Sequence, residues 1–205
     1  MTLNYVRCAP CWILCAAISC AAPVLGSPPS TPLTAVVLPD GRYSAVAMRE
    51  MGREAAHILK RSGVTLRWQV GIPAQAVSGR LIVVKLLGHC DMDGSPSFLV
   101  PGPLGWAHEV DGTILPFSDL ACDNLRGAVE SAIADGNPLR GNVLLGRAMG
   151  RVLAHELYHI VADTSDHGRD GVTQAALTPR DLTSGQLELL PSQVATMQSG
   201  LNRSW

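Results

Sequence analysis

Residues 152–161 read VLAHELYHIV, a run whose only ionisable groups, one tyrosine aside, are His155, Glu156 and His159. Such groups are costly to bury unless each finds a partner, so any fold that takes in this segment must supply partners for them. The two histidines are four residues apart, which on a helix separates them by about 40° and puts them on one face. Glu156 projects about 100° from His155, beside that face rather than on it. Two imidazoles converging in this way provide two ligands for a zinc ion, and the neighbouring carboxylate can accept a proton from a water that the ion activates. With the His and Glu content of this chain the triplet arises by chance in roughly one random chain in 200. Gly146, Gly150, Leu153, Leu157 and Ile160 fall on the opposite side, so the helix can pack closely against the body of a domain there.

Catalytic zinc usually takes three protein ligands and a water. After His159 the candidates are Asp163, Asp166, His167, Asp170, Asp181 and Glu188. On a continuing helix Asp163 would lie about 12 Å along the axis from His155, too far to share one ion. It reads better as a helix-end residue or an acceptor behind a ligand. His167 is the first choice, because residues 163–166 (DTSD) are turn formers that can end the helix and bring the chain back. Glu188 is the runner-up, and a solvent-exposed loop histidine is the bland reading of His167.

The rest of the chain supplies a core and little else that is charged. Of 205 residues, 47% are hydrophobic and 16% charged, which describes one globular domain. The formal charge of -1, with no basic run interleaved with aromatics, excludes a nucleic-acid partner. Residues 34–38 (TAVVL) read as a strand, and 43–61 carry apolar residues at helical spacing, with Gly63 as a stop. Residues 64–70 and 80–87 (RLIVVKLL) are β-branched-rich, the second apolar enough to lie inside a sheet. Residues 105–110, Asp111-Gly112 and 113–117 form a hairpin pattern. A helix is expected from Ser118 or Asp119 to Ala134, and another opening at Asn137-Pro138 with Asn137 as its cap.

The first 26 residues read as a signal peptide. Arg7 is their only charge, an apolar run follows, and small residues precede cleavage after Gly26. A lipid anchor at Cys20 is the alternative, although Ala17-Ile18-Ser19 lacks the Leu usual three residues before such a cysteine. Removing the leader takes Cys8, Cys11, Cys15 and Cys20 with it, leaving Cys90 and Cys122 as the expected disulfide of an exported chain. Residues 27–33 then read as a Pro/Ser linker and 34–205 as the domain, with no membrane contact after cleavage unless Cys20 is lipidated.

The segment HELYHIVADTSDH, residues 155–167, resembles the zincin superfamily of metallopeptidases and, more loosely, its metzincin branch with the pattern HExxHxxGxxH. The third His stands two residues later here, and Ala162 occupies the place of the turn glycine. The resemblance implies an α+β, zincin-like fold: a mixed twisted sheet, a backing helix, an HExxH active-site helix and a small, mostly helical C-terminal part. The strand and helix order over 34–117 agrees with it, whereas the helix at 118–134 stands as an insertion. It implies that residues 104–109 (LGWAHE) form an edge strand for an extended peptide, though an ordinary hairpin strand fits as well. It also offers Met197 as a Met-turn residue, against which Val194, Met197 and Leu201 are spaced as a helical core stripe, the preferred reading. His57, His89 and His108 have no partner at ligand spacing and receive no role.

The function expected is that of a secreted or periplasmic zinc metalloendopeptidase acting on peptide or protein substrates. One zinc ion is held by His155, His159 and His167, with Glu156 as general base towards the water and then proton donor to the leaving amine. A catalytically silent, zinc-stabilised binding module of the same fold is the alternative from another class, and a zinc hydrolase of a non-peptide amide a third reading. The leader reading has a direct check: exported protein should begin at Ser27 by intact-mass measurement. An uncleaved chain refutes it, and a mass for diacylated Cys20 replaces it with the lipid anchor.

Overall fold

The computed structural model describes residues 31–77, 79–93, 102–133 and 138–203. The leader, the greater part of the 27–33 segment and the expected Asn137 cap lie outside them. No helix among the described residues is long and apolar enough to cross a membrane.

The chain alternates strand and helix. β1 (Thr31–Pro39) leads to α1 (Ala45–Leu59), then β2 (Val64–Val70), β3 (Arg80–Leu87), the hairpin β4 (Gly105–Val110) and β5 (Thr113–Ala121), α2 (Cys122–Glu130), α3 (Pro138–Ala162), α4 (Pro179–Thr183) and α5 (Pro191–Leu201). One sheet holds all five strands in the order β2-β1-β3-β5-β4, parallel throughout except for β4, which runs antiparallel to β5 at the edge. The alternation of strands sets its faces: Leu33, Ala35 and Val37 of β1 and Ile82, Val84 and Leu86 of β3 are fully buried. Parallel register places Ala35 beside Ile82 and Val37 beside Val84, so these residues form one apolar layer. On the other face Leu81 and Phe117 remain 42% and 45% exposed.

β1 begins at Thr31, three residues ahead of the TAVVL run, because Leu33 is already a core residue paired beside Leu66 and Arg80. The expected helix start at Ser118 or Asp119 is corrected. β5 continues to Ala121, with Ser118 beside Val84 and Leu120 beside Leu86, and α2 begins at Cys122. Ser118-Asp119 looks like a helix cap in sequence, yet the Asp119 carboxylate meets His108 Nε2 at 3.0 Å on the neighbouring strand. That cross-strand partner keeps Asp119 in the sheet. Met197 lies within α5 and is fully buried, with Val194 and Leu201 packed on the core around it, so it belongs to a helical stripe and not to a turn.

Helix α3 is the centre of the molecule, and every residue from 148 to 162 is buried. Its approach to α1 is close because glycines permit it. A Cβ at Gly146 would lie 2.4 Å from the Ala47 carbonyl oxygen, and one at Gly150 2.7 Å from that of Met51. At this contact Arg151, 1% exposed, donates from Nε to Glu54 Oε1 at 2.8 Å. Its other nitrogens donate to the carbonyls of Ser184 at 2.9 Å and Gly185 at 2.7 Å, and to that of Asp181. One guanidinium therefore ties α1, α3 and the segment after α4 together. Cys90 and Cys122, with Cα atoms 5.0 Å apart, are placed as a disulfide joining the end of the β3 region to the first residue of α2.

Removing Arg151 leaves Glu54 as a buried charge without its partner. Arg151→Ala should lower unfolding free energy by about 3–5 kcal/mol, seen as a fall in the urea midpoint. Arg151→Met combined with Glu54→Leu should recover most of that loss, since an apolar pair carries no stranded charge. A midpoint within error of wild type in Arg151→Ala contradicts the assignment.

Candidate metal centre

His155 and His159 sit one turn apart on the cleft side of α3, 8% and 5% exposed. Each ring is held from behind. His155 Nδ1 lies 2.8 Å from the Val172 carbonyl and His159 Nδ1 2.6 Å from that of Thr164. A carbonyl oxygen only accepts, so both Nδ1 atoms carry the proton, and each neutral ring keeps its lone pair on Nε2. Those two Nε2 atoms face each other at 2.9 Å. Two lone pairs at that distance repel, and a cation between them converts the repulsion into attraction.

His167 completes the set. One ring nitrogen from each of His155, His159 and His167 lies within 4.8 Å of the others, and the rings of His155 and His159 have their centroids 5.2 Å and 4.8 Å from that of His167. Three nitrogens on one tetrahedral ion stand about 3.3 Å apart, so small side-chain adjustments bring this set onto a single metal. Two of the three imidazoles, those of His155 and His159, are pinned through Nδ1, which leaves Nε2 as the donor atom a metal would take.

The chain returns to deliver His167 through a defined reversal. α3 ends at Ala162, and Asp163 takes the left-handed conformation, φ 51°. The Thr164 N–H then donates to the His159 carbonyl at 3.2 Å, satisfying one of the open carbonyls of the last turn. Thr164 acts twice on the same residue, capping its backbone and orienting its ring. Val172, the other orienting residue, belongs to the short 3₁₀ turn Gly171–Thr173. That turn is braced by Gln193 of α5, whose Nε2 donates to the Asp170 carbonyl at 3.0 Å and to Thr173 Oγ1 at 2.6 Å. Gly168, next to His167, donates its N–H to the Thr173 carbonyl at 2.9 Å.

Glu156 is 4% exposed and accepts a hydrogen bond from the Ala107 N–H of β4. Burial pushes its carboxyl up to about 7, with the Ala107 bond pulling the other way. Burial pushes His155 down to about 4, against the raising effect of the Val172 bond and with His159 and His167 adding to the fall. His159 is lowered too, chiefly by burial. All four residues line an open cleft of about 620 Å³ that runs between β4 and α3.

Three of the other third-ligand candidates are occupied elsewhere. Glu188 pairs with Arg61, Asp181 closes the capping box of α4 with Thr178, and Asp163 ends α3. Only the three histidines form a metal-competent group among the described residues. The sequence reading did not reach Val172, Gln193 or the Ala107 N–H. The first and last act through backbone atoms, which leave no residue-type signal, and Gln193 reads as an ordinary helix residue.

No family model and no curated protein matches the chain. Among solved structures it is similar to an archaemetzincin from Methanopyrus kandleri, with a TM-score of 0.52 and 14% identity, over 87% of this chain and 100% of that one. At that identity the likeness concerns the fold, an α+β arrangement of a mixed sheet and packed helices.

If His167 is the third ligand, His167→Ala should lower bound metal, read by elemental analysis of dialysed protein, far more than Glu188→Ala or Asp163→Ala. Equal metal in His167→Ala and wild type rejects the assignment.

Proposed function

We propose that the chain is an exported zinc-dependent metallopeptidase that hydrolyses peptide bonds. The observation that carries this reading is one arrangement: three converging histidine nitrogens, with a buried carboxylate next to them in chain and space, on the floor of an open cleft bordered by an edge strand. The archaemetzincin-like fold supports it, as does the HELYH spacing on α3.

His155, His159 and His167 would hold the ion. When bound, zinc polarises a carbonyl and makes a water acidic enough to attack it near neutral pH. The remaining work falls to residues of the chain. Glu156 takes the proton from the attacking water on its carboxylate and passes it to the departing amine nitrogen. The Ala107 backbone lies beside that carboxylate and favours its charged form. Among the described residues β4 pairs only with β5, so its outer edge is free to hydrogen-bond an extended peptide laid along the cleft. Main-chain pairing of this kind holds many sequences in one orientation. The disulfide placement agrees with an oxidising compartment and hence with export.

The test is Glu156→Gln. It keeps the volume and removes the proton acceptor, so the variant should retain fold and zinc while cleavage of a peptide library falls by about 10²–10⁴-fold. Undiminished cleavage by zinc-loaded Glu156→Gln refutes the mechanism. Loss of zinc in that variant makes Glu156 a ligand instead. Zinc-loaded wild type that cleaves nothing leaves the silent binding module.

A further inference from the structure

We propose that the exposed face of α1 is a docking surface for an anionic lipid bilayer, and that it holds the protein with the cleft turned away from the membrane. This reading rests on neither the metal nor the cleavage of peptides. Arg49, Arg53 and Lys60 project from α1 and the 3₁₀ turn Lys60–Ser62 that continues it, within about 40° of one another and in a row about 16 Å long. His57 and Arg61 flank the row, and all five residues are exposed. The acids of this face are already taken: Glu50 pairs with Arg53, Glu54 with Arg151 and Glu188 with Arg61. Among the described residues no carboxylate pairs with Arg49 or Lys60, so the face keeps an excess of positive charge.

The formal charge of the whole chain is only -1, so that excess is balanced elsewhere. The counter-charge lies around the cleft. Glu109 at the outer end of β4, Asp111 in the hairpin turn, and Asp163, Asp166 and Asp170 on the segment that carries His167 are all exposed, against one guanidinium there, Arg169. α1 packs on the Gly146 and Gly150 side of α3, whereas His155 and His159 line the cleft on its other side. A negative surface therefore attracts the α1 side and repels the cleft side, and one orientation results.

A bilayer suits this row better than a soluble polyanion because of where the chain enters the fold. β1 starts at Thr31, paired beside Val64, three residues after Arg61. An anchor upstream of Thr31 thus meets the membrane at the basic end of α1. A lipid on Cys20 would leave ten residues before the strand, a reach of at most about 35 Å. One lipid chain binds a membrane only marginally, and a basic patch is the second signal that makes anchoring stable. After cleavage at Gly26 the patch acts alone, and binding is then weak and salt-dependent.

The experiment sediments the purified protein with vesicles of pure phosphatidylcholine, or of equal parts phosphatidylcholine and phosphatidylglycerol, at low and at high salt. Arg49→Gln combined with Lys60→Gln is compared with wild type and with Arg169→Gln combined with Arg180→Gln, which removes the same charge from exposed positions away from α1. Wild type should bind the phosphatidylglycerol vesicles at low salt and leave them at high salt. The α1 pair should bind about 30-fold more weakly, at roughly 5-fold for each charge removed, and the control pair as wild type does. A polarity-sensitive dye on His57→Cys should shift to the blue on the vesicles, and one on Glu109→Cys should not. Equal binding to both vesicle types, binding to neither, an equal loss in the control pair, or a blue shift at position 109 alone overturns the proposal. Capture by inorganic polyphosphate without binding to the vesicles overturns it too, and makes the face a site for a soluble polyanion.

Discussion

A helix buried on every side cannot carry charged groups unless the surrounding fold satisfies each of them, and α3 carries Arg151, His155, Glu156 and His159 within its buried half. Much of the architecture can be read as the list of their partners. α1 supplies Glu54, β4 supplies the Ala107 N–H, the 3₁₀ turn supplies the Val172 carbonyl, and the reversal after α3 supplies that of Thr164. What the protein does not satisfy by itself is the pair of Nε2 lone pairs facing each other at 2.9 Å. Among the described residues the other buried charges of the helix, Arg151 and Glu156, have partners, so the demand for a cation is confined to one point.

The distance in sequence between the second and third histidines follows from how α3 ends. A glycine is the residue best suited to the left-handed reversal, but Ala162 stays helical and the reversal falls on Asp163. Aspartate tolerates that conformation better than most side chains because it is short and polar. One residue of the longer spacing is thus taken up by the helix. A further one is taken up by the turn beyond it, where the Asp166 N–H donates to Thr164 Oγ1 at 3.1 Å. His167 still comes within reach of the other two rings. The longer spacing therefore goes with a helix that ends one residue later, while the three rings still cluster.

The sequence was most legible where periodicity and chemistry coincide. β2, β3 and β4 have the bounds that β-branched composition and the Asp111-Gly112 turn predict, and the Gly146 and Gly150 side of α3 packs on α1 because a side chain would not fit. The metal-site triplet was visible because helical spacing turns a short string into a direction in space. Legibility failed where the deciding partner was distant in sequence. Asp119 reads as a helix start until His108 is placed opposite it, and Glu188 stays the runner-up ligand until Arg61 is found beside it. The role of Arg151 was not legible at all, since Glu54 and the carbonyls it binds are distant in sequence.

Gly105 shows how the sheet edge and the helix become one site. A Cβ there would lie 2.7 Å from Val152 Cγ1, 3.0 Å from the Asp119 carbonyl oxygen and 3.3 Å from Glu156 Oε1. Any other residue would lift β4 off α3 or push against the carboxylate. With glycine the strand lies flush on the helix, and the Ala107 N–H, two residues on, comes within reach of Glu156. The carboxylate is then walled by strand and helix and approachable only from the cleft, where the three histidines stand. A strand that must pair on one side, donate to Glu156 and keep its outer edge clear has little freedom in register. The shift in its pairing with β5 between Ala107 and Glu109 falls just past the donor, where it changes the register of the outer residues without disturbing the contact with Glu156.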